Sequence, residues 1–317
     1  MLDEIDRGLI HALQVAGRAP YSRIGAVLGV STQTVARRYQ RLRTEAGLRV
    51  IGLPDPHRAG RSQWLVRLTA TPRAAQDLAS ALSRRTDTSW IKLASGGTEI
   101  MAIVHTTPTD GNALLLHDIP RTAGVTSVSA HYLLHLYVGG PAAWGARATT
   151  LTREQEKALS ERLAELSTAQ ILPTDQKLLA ALGNDGRATL TDLARETGWA
   201  PATVARRLAV LEASGAIFFD VDVAPTAFGA TTAAMLWLSV PPAHTEAVAR
   251  ALATHDELAF VAATTGRTNL VAHALCAGPD ALHAYLTNRI STIEHITALE
   301  TVPILRTIKA AAPNRAT

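Results

Sequence analysis

Aromatic residues, cysteine and long apolar runs are scarce in this chain of 317 residues. Aromatics make up only 4% of it, so its cores must be aliphatic. The single cysteine, Cys276, excludes an internal disulfide framework and a cysteine-based zinc site. No apolar run approaches the roughly 18 residues of a membrane span, and no apolar segment follows the acidic N-terminus as it would in a secretory signal. The sequence therefore predicts a soluble cytoplasmic protein with no membrane partner.

A large excess of one charge is also missing. There are 31 Lys and Arg against 27 Asp and Glu, a net charge of +4. That balance is too weak by itself to indicate a nucleic-acid partner. The chain has no glycine-rich phosphate loop and no set of residues with metal-ligand spacing. We therefore expect neither a cofactor nor a metal.

The clearest positive feature is a long internal repeat. When the chain is shifted by 169 positions, 14 of the 37 residues from 6 to 42 are identical. Chance would give about three. The matches include Gly17-Arg18-Ala19 with Gly186-Arg187-Ala188, and Thr34 to Arg38 with Thr203 to Arg207. The chain is therefore one unit of about 150 residues fused to a diverged copy of itself.

Each copy begins with the pattern of a helix-turn-helix. Apolar residues at helical spacing predict a first helix, a second short helix ends at Gly29, and a third begins after Ser31 as its N-cap. Polar groups at the start of such a third helix meet base edges, and arginines along it hold phosphates. We predict DNA contacts from Ser31, Thr32, Gln33, Thr34, Arg37, Arg38, Arg41, Thr203, Arg206 and Arg207. Arg38 lies one step round the helix, where it could instead support the fold.

The two copies are not equally suited to DNA. Residues 1–60 carry nine basic and five acidic side chains, whereas residues 170–229 carry five and seven. In the second copy Ala200 replaces Ser31, and Val210 replaces Arg41. We expect the second copy to bind DNA weakly or to serve mainly as structure.

After each helical part the periodicity changes to that of strands alternating with helices. The order βαββαβ predicts a ferredoxin-like domain in each copy, and hence an α+β fold. The predicted segments are a first winged helix-turn-helix at 1–52, a first ferredoxin-like domain at 61–138, a connector at 139–172, a second winged helix-turn-helix at 173–222, and a second ferredoxin-like domain at 230–312. In the connector, Thr152 and Gln155 predict a capping box for a helix through Leu166.

The whole unit resembles the leucine-responsive, or Lrp/AsnC, family of bacterial transcription regulators. The residues that carry the resemblance are Leu2-Asp3 with Asp6, Gly17-Arg18, Leu28 to Ser31, Val35 with Arg38, and the turn Ser95-Gly96-Gly97. The resemblance implies a DNA-binding winged helix-turn-helix followed by a ligand-sensing domain. It also implies pairing of the sensing domains through their sheets.

The same resemblance implies an amino-acid effector near the turn between the second and third strands of each sensing domain. The family usually has Asp near the end of that turn, where this chain has Glu99 and Asn269. The implied ligand-binding residues are Ser95, Gly96, Gly97, Thr98, Glu99, Thr265, Gly266, Arg267, Thr268 and Asn269.

Two questions stay open at the level of sequence. Pairing could join separate chains into a homo-oligomer, or it could join the two copies within one chain as a pseudo-dimer. A different function also remains, because sirohaem decarboxylases share this fold and a two-unit layout. The resemblance to those enzymes implies a cluster rich in His and Arg on the second and third strands. In the two copies of this chain, these strands contain only Arg267 and His273. We therefore favour a regulator without enzymatic activity.

Overall fold

The computed structural model describes residues 2–56, 58–107, 112–139, 150–160 and 169–311. The chain divides into two compact units, and each unit takes segments from both copies of the repeat. The helical unit comprises Met1–Ala59 and Gly140–Phe228, and the sheet unit comprises Gly60–Gly139 and Gly229–Thr317. In the described part of the chain, no helix is long and apolar enough to cross a membrane.

The helical unit contains two helix-turn-helix motifs. Its first copy consists of α1 (Glu4–Val15), α2 (Tyr21–Leu28), α3 (Thr32–Glu45) and the strand β1 (Arg49–Pro54). The matching elements of the second copy are α7 (Gln176–Asn184), α8 (Leu190–Thr197), α9 (Pro201–Ala213) and β6 (Ile217–Asp222). The connector contributes α6 (Arg153–Ser160). Its continuation to Leu166 lies outside the described residues.

Local sequence signals set the ends of these helices. The Ser31 hydroxyl accepts a hydrogen bond from the Thr34 N–H at 3.1 Å, which confirms the predicted N-cap of α3. Gly29 and Gly198 end α2 and α8 with φ of 68° and 75°, a left-handed conformation that favours glycine. Thr152 and Gln155 exchange the predicted capping-box hydrogen bonds at the start of α6.

The two motifs are joined by strand pairing between the copies. β1 and β6 form a two-stranded antiparallel sheet, from Arg49 opposite Asp222 to Pro54 opposite Ile217. The sequence predicted a wing within each copy. Instead, among the described residues, each copy supplies one strand, and the partner of that strand is the strand of the other copy.

A reciprocal pair of arginines reinforces this junction. Arg18 donates to the carbonyl oxygens of Gly186 and Ala188, the latter at 2.8 Å. Arg187 donates to those of Gly17 and Ala19, at 2.6 and 2.9 Å. Each arginine of the repeated Gly-Arg-Ala turn thus binds the same turn in the other copy. Gly186 also approaches the strand closely, since its N–H donates to the Val50 carbonyl at 2.7 Å.

The sheet unit has the predicted βαββαβ order in both copies. The first copy consists of β2 (Ser62–Ala70), α4 (Pro72–Arg84), β3 (Thr88–Ala94), β4 (Glu99–Thr106), the short π-helical segment α5 (Leu114–Asp118) and β5 (Val125–Val138). The second consists of β7 (Thr232–Ser239), α10 (Thr245–Ala253), β8 (Leu258–Thr264), β9 (Leu270–Cys276), α11 (Pro279–Asn288) and β10 (Ala298–Lys309).

The eight strands form one closed antiparallel sheet. Within the first copy the spatial order is β3-β4-β2-β5, and within the second it is β8-β9-β7-β10. The last strand of each copy pairs with the second strand of the other, β5 with β8 and β10 with β3. Of the two assemblies that the sequence left open, the structure contains the pairing within one chain.

Three apolar cores lie in the described part of the sheet unit. Each copy packs its helices on the outer face of its strands, around Val66 and Leu78 in the first copy and Leu236 and Leu252 in the second. The third core lies between the inner faces of the two copies, and Trp237 is its largest fully buried side chain. The inner core gives the copies a shared apolar interface in addition to their strand pairing.

We expect Arg18→Ala and Arg187→Ala each to lower the free energy of unfolding by about 2 kcal/mol. Each change removes two charge-assisted hydrogen bonds and leaves two carbonyls without their donor. Urea denaturation followed by circular dichroism measures the effect. Arg195→Ala is the matched control, because Arg195 pairs with Asp192 in an exposed i,i+3 ion pair. Equal losses in all three variants would contradict a role of the Gly-Arg-Ala turns in joining the copies.

The β1–β6 sheet also contains a buried acid that should make stability depend on pH. Asp220 is 4% exposed, and burial raises its pKa to about 6, although the Val221 N–H donates to its carboxyl group. In the unfolded chain the pKa is near the ordinary 3.8. Between pH 4 and 6 the folded protein therefore holds a proton that the unfolded chain has lost, so stability falls as the pH rises through this window.

Asp220→Asn should remove that dependence. The neutral amide has no charge to bury, so we expect a gain of about 2 kcal/mol at pH 7.5 and no gain at pH 4. Thermal unfolding at the two pH values measures the difference. Asp222→Asn is the control, because it removes the ion pair with Arg49 and should destabilise the protein at pH 7.5. A gain from Asp220→Asn of the same size at both pH values would contradict this account.

Candidate DNA-binding and effector sites

The outer face of α3 presents a polar stripe. Val35, Tyr39 and Leu42 are buried, which turns the opposite face of the helix outward. Thr32 and the stripe Gln33, Arg37, Gln40 and Thr44 are exposed. Ser31 and Thr34 are within hydrogen-bond distance of each other at 2.9 Å and close the first turn. Sequence reasoning missed Gln40, although its spacing from Gln33 and Arg37 places it on the same face.

The other two arginines predicted on α3 form an ion-pair network with α1. Arg38 donates to Asp3 at 2.5 Å and to Asp6 at 2.8 Å, while Arg41 donates to Asp6 at 2.5 Å. The Asp6 side chain is almost completely buried. The hydrogen bond with Asp3 is the main reason that the pKa of Arg38 is raised. Arg41 is exposed and its guanidinium also donates to the carboxylate of Asp6, so its role as a phosphate anchor stays a prediction.

The equivalent face of α9 is largely apolar. Pro201, Ala202 and Ala209 are exposed there, together with Arg206. Thr203 is half-buried. Arg207 is held by Asp175 through two hydrogen bonds of 2.8 and 2.6 Å, which repeats the Arg38–Asp6 contact of the first copy. Of the three second-copy residues predicted to contact DNA, Arg206 is the most exposed.

The first candidate effector turn contains a buried charge pair. Ser95, Gly96 and Gly97 form a single 3₁₀ turn, and the Thr98 hydroxyl donates to the Ser95 carbonyl at 3.1 Å. Glu99 is 5% exposed and accepts hydrogen bonds from Arg67 and from the Ser95 hydroxyl.

The Arg67 guanidinium extends this charge pair to the second copy. It also binds Glu300 of β10 through two hydrogen bonds, of 2.8 and 2.5 Å. These bonds raise the pKa of Arg67 and lower that of Glu300. The resemblance implies that Glu99 binds the ligand, and in the structure its carboxylate forms an ion pair with Arg67.

The second candidate turn has neutral groups. The Tyr132 N–H donates to the Thr265 hydroxyl at 2.9 Å, and His131 Nδ1 donates to the Thr265 carbonyl at 2.8 Å. Gly266 adopts a φ of 111°, and a Cβ there would lie 2.7 Å from His131 Nδ1. The Asn269 amide exchanges hydrogen bonds with the Val240 backbone, at 3.0 and 2.8 Å, and also donates to the Thr245 hydroxyl at 3.3 Å.

Two further residues of this turn complete its predicted set. The Thr268 carbonyl accepts from the Thr264 hydroxyl at 3.1 Å, and Arg267 is exposed.

The two turns are equivalent in position and different in chemistry. Arg67 faces Met101 across β2 and β4, and Trp237 faces Val271 at the same register across β7 and β9. The Arg67 guanidinium lies 5.4 Å from the centre of the Trp237 ring. The chain therefore places one charged and one aromatic side chain at the pseudo-symmetric position. Among the described residues, no group of three or more His, Cys, Asp or Glu could hold a metal ion.

Comparison with known proteins agrees with this architecture. The AsnC-type helix-turn-helix domain matches residues 2–43 and 173–212, and the Lrp/AsnC ligand binding domain matches residues 233–313. The regulatory protein AsnC of Escherichia coli is 31% identical, and the match covers 43% of this chain and 93% of AsnC. The HTH-type transcriptional regulator FL11 of Pyrococcus horikoshii is 30% identical over 43% of this chain and 89% of FL11.

The chain thus has the domains of a DNA-binding transcription regulator. It belongs to the Lrp/AsnC family, in a tandem form with two helix-turn-helix segments. A solved structure of the siroheme decarboxylase NirDL matches 97% of this chain and 93% of its own, with a TM-score of 0.58 and 15% identity. At that identity the likeness concerns the fold alone.

Proposed function

We propose that this chain is a cytoplasmic transcription regulator that binds double-stranded DNA asymmetrically, mainly through the first helix-turn-helix. The observation that carries the proposal is the contrast between the outward faces of the two recognition helices. α3 exposes two glutamines, Arg37 and Arg41, whereas α9 exposes proline, alanines and Arg206. Glutamine amides can read base edges, and an exposed arginine can hold a phosphate.

The internal pairing supports the same proposal. The β1–β6 sheet and the two arginines of the Gly-Arg-Ala turns hold both motifs in one unit. A symmetric dimer binds a DNA target whose two half-sites share its two-fold symmetry. A pair of unlike motifs within one chain therefore suits a target with two unlike half-sites.

Arg37→Ala should weaken binding and lower the slope of log affinity against log salt concentration by about 1, as expected for one lost phosphate contact. Arg206→Ala should change the slope by less, and Arg37→Lys should restore most of it. Fluorescence anisotropy with genomic upstream fragments isolated by the protein measures the slopes. An equal or larger effect of Arg206→Ala would contradict the asymmetry.

We further propose that the effector is an amino acid and that it binds at the first turn. A zwitterion requires an anion for its ammonium group and a cation for its carboxylate. Glu300, which is half exposed, and Arg67 carry both kinds of charge at this turn, and the buried Glu99 holds the Arg67 guanidinium in place. The second turn offers hydroxyls, an engaged amide and Arg267, so it lacks a carboxylate for the ammonium group.

Thermal-shift measurements with the twenty amino acids test this site. A ligand should raise the melting temperature in a concentration-dependent way, because it stabilises only the folded state. Glu99→Gln should abolish the shift, and Arg267→Ala in the second turn should preserve it. The absence of any shift at millimolar concentrations, or a shift that survives Glu99→Gln, would contradict the proposed site.

Decarboxylation of a tetrapyrrole is the second candidate function. Its support is the fold of NirDL together with one polar contact in the inner core, where Lys92 Nζ lies 3.4 Å from His273 Nε2. Both side chains are buried. Turnover of sirohaem by the purified protein, with no binding to any upstream DNA, would favour the enzyme over the regulator.

A further inference from the structure

A cleft of about 260 Å³ lies beside α9, on the side of the helix that corresponds to the ion-pair network of Asp3, Arg38 and Arg41 in the first copy. Leu172, Trp199 and Val210 supply its apolar lining. Arg206 lines it as well and is exposed. The Asp175–Arg207 ion pair also borders the cleft. Arg207 donates two hydrogen bonds to Asp175 and balances the negative charge of that carboxylate.

The first copy shows which sequence changes accompany this cleft. At the repeat distance of 169, Leu172, Trp199 and Val210 correspond to Asp3, Val30 and Arg41. In the first copy Asp3 and Arg41 take part in the ion-pair network of Asp6 and Arg38. In the second copy, leucine and valine replace the charged Asp3 and Arg41, and tryptophan replaces Val30. All three changes make the same place more apolar, while the central Asp–Arg pair is kept.

The dimensions and charge of the cleft indicate what it would hold. The cleft is open to solvent, and its volume of about 260 Å³ is enough for one side of a planar body of two rings. The indole of Trp199 offers an aromatic surface for stacking. Arg206 can pair with a negative group that stays in solvent. An apolar body with one anionic group therefore fits the lining better than a nucleic-acid backbone.

We propose that the second helix-turn-helix is a binding site for a small aromatic anion, in a cleft that lies where the first copy has Asp3 and Arg41. The ligand's ring system lies between Trp199, Leu172 and Val210, and its carboxylate or sulfonate pairs with Arg206. This goes beyond the proposed regulatory function and does not depend on it, because ligand binding is measured in the absence of DNA.

Two fluorescent probes with the same apolar body test the proposal on the full chain. 1-Anilinonaphthalene-8-sulfonate carries the anionic group, and N-phenyl-1-naphthylamine lacks it. Val210→Arg installs the residue of the first copy and should abolish the saturable component of sulfonate binding. A loss of binding in Val210→Arg cannot be an effect of charge, because an added cation by itself would strengthen binding of the sulfonate. Trp199→Val should have the same effect, and circular dichroism checks that both variants are folded.

Arg206→Ala measures how much the anionic group of the ligand contributes to binding. We expect it to weaken the sulfonate probe about twofold to fivefold, as for an exposed ion pair, and to leave the uncharged probe unchanged. Arg41→Val in the first copy is the matched control and should leave both probes unchanged. Sulfonate binding that persists in both Val210→Arg and Trp199→Val would overturn the proposed site. Equal losses of the two probes in Arg206→Ala would overturn the assignment to an anion.

Discussion

Strand pairing between the two copies is the interaction on which the folded chain depends. A single ferredoxin-like sheet exposes two strand edges, and unpaired edges are open to aggregation. Here β5 and β10 pair with β8 and β3, so each copy covers both edges of the other. The inner faces thereby enclose Trp237, Met101 and Leu65, which would form a large exposed apolar surface if the copies separated. The copies are therefore two halves of one sheet.

Pairing within one chain also removes the need for two identical halves. In the helical unit, the residues that join the copies are kept in both, as the reciprocal contacts of Arg18 and Arg187 show. The outward faces have diverged instead, with Val210 in place of Arg41 and Leu172 in place of Asp3. A symmetric dimer of separate chains would place every such change at two sites. A tandem chain can assign DNA contact to one motif and another role to the second.

Sequence patterns predicted the features that depend on residues close together in the chain. The helix order, the N-cap at Ser31 and the left-handed Gly29 and Gly198 all follow from local spacing. The pairing of β1 with β6 did not, because a lone strand after a helix-turn-helix carries no signal of its partner. The ion pair between Arg67 and Glu300 joins residues 233 positions apart. No periodicity connects them, so the sequence did not predict that Arg67 links Glu99 to the second copy.

The Asp6–Arg38 network shows why the charge of a segment is a poor measure of its affinity for DNA. Counterion release depends on cations that reach phosphates, and an arginine bound to a buried carboxylate is restrained from doing so. Arg38 and Arg207 are held in this way, whereas Arg41 is exposed and donates a single hydrogen bond to Asp6. Asp6 and Arg38 recur in the second copy as Asp175 and Arg207. That recurrence already indicated that these residues form a structural pair. What distinguishes the two recognition faces is therefore the set of exposed polar side chains beside Arg37 and their replacement by alanine and proline beside Arg206.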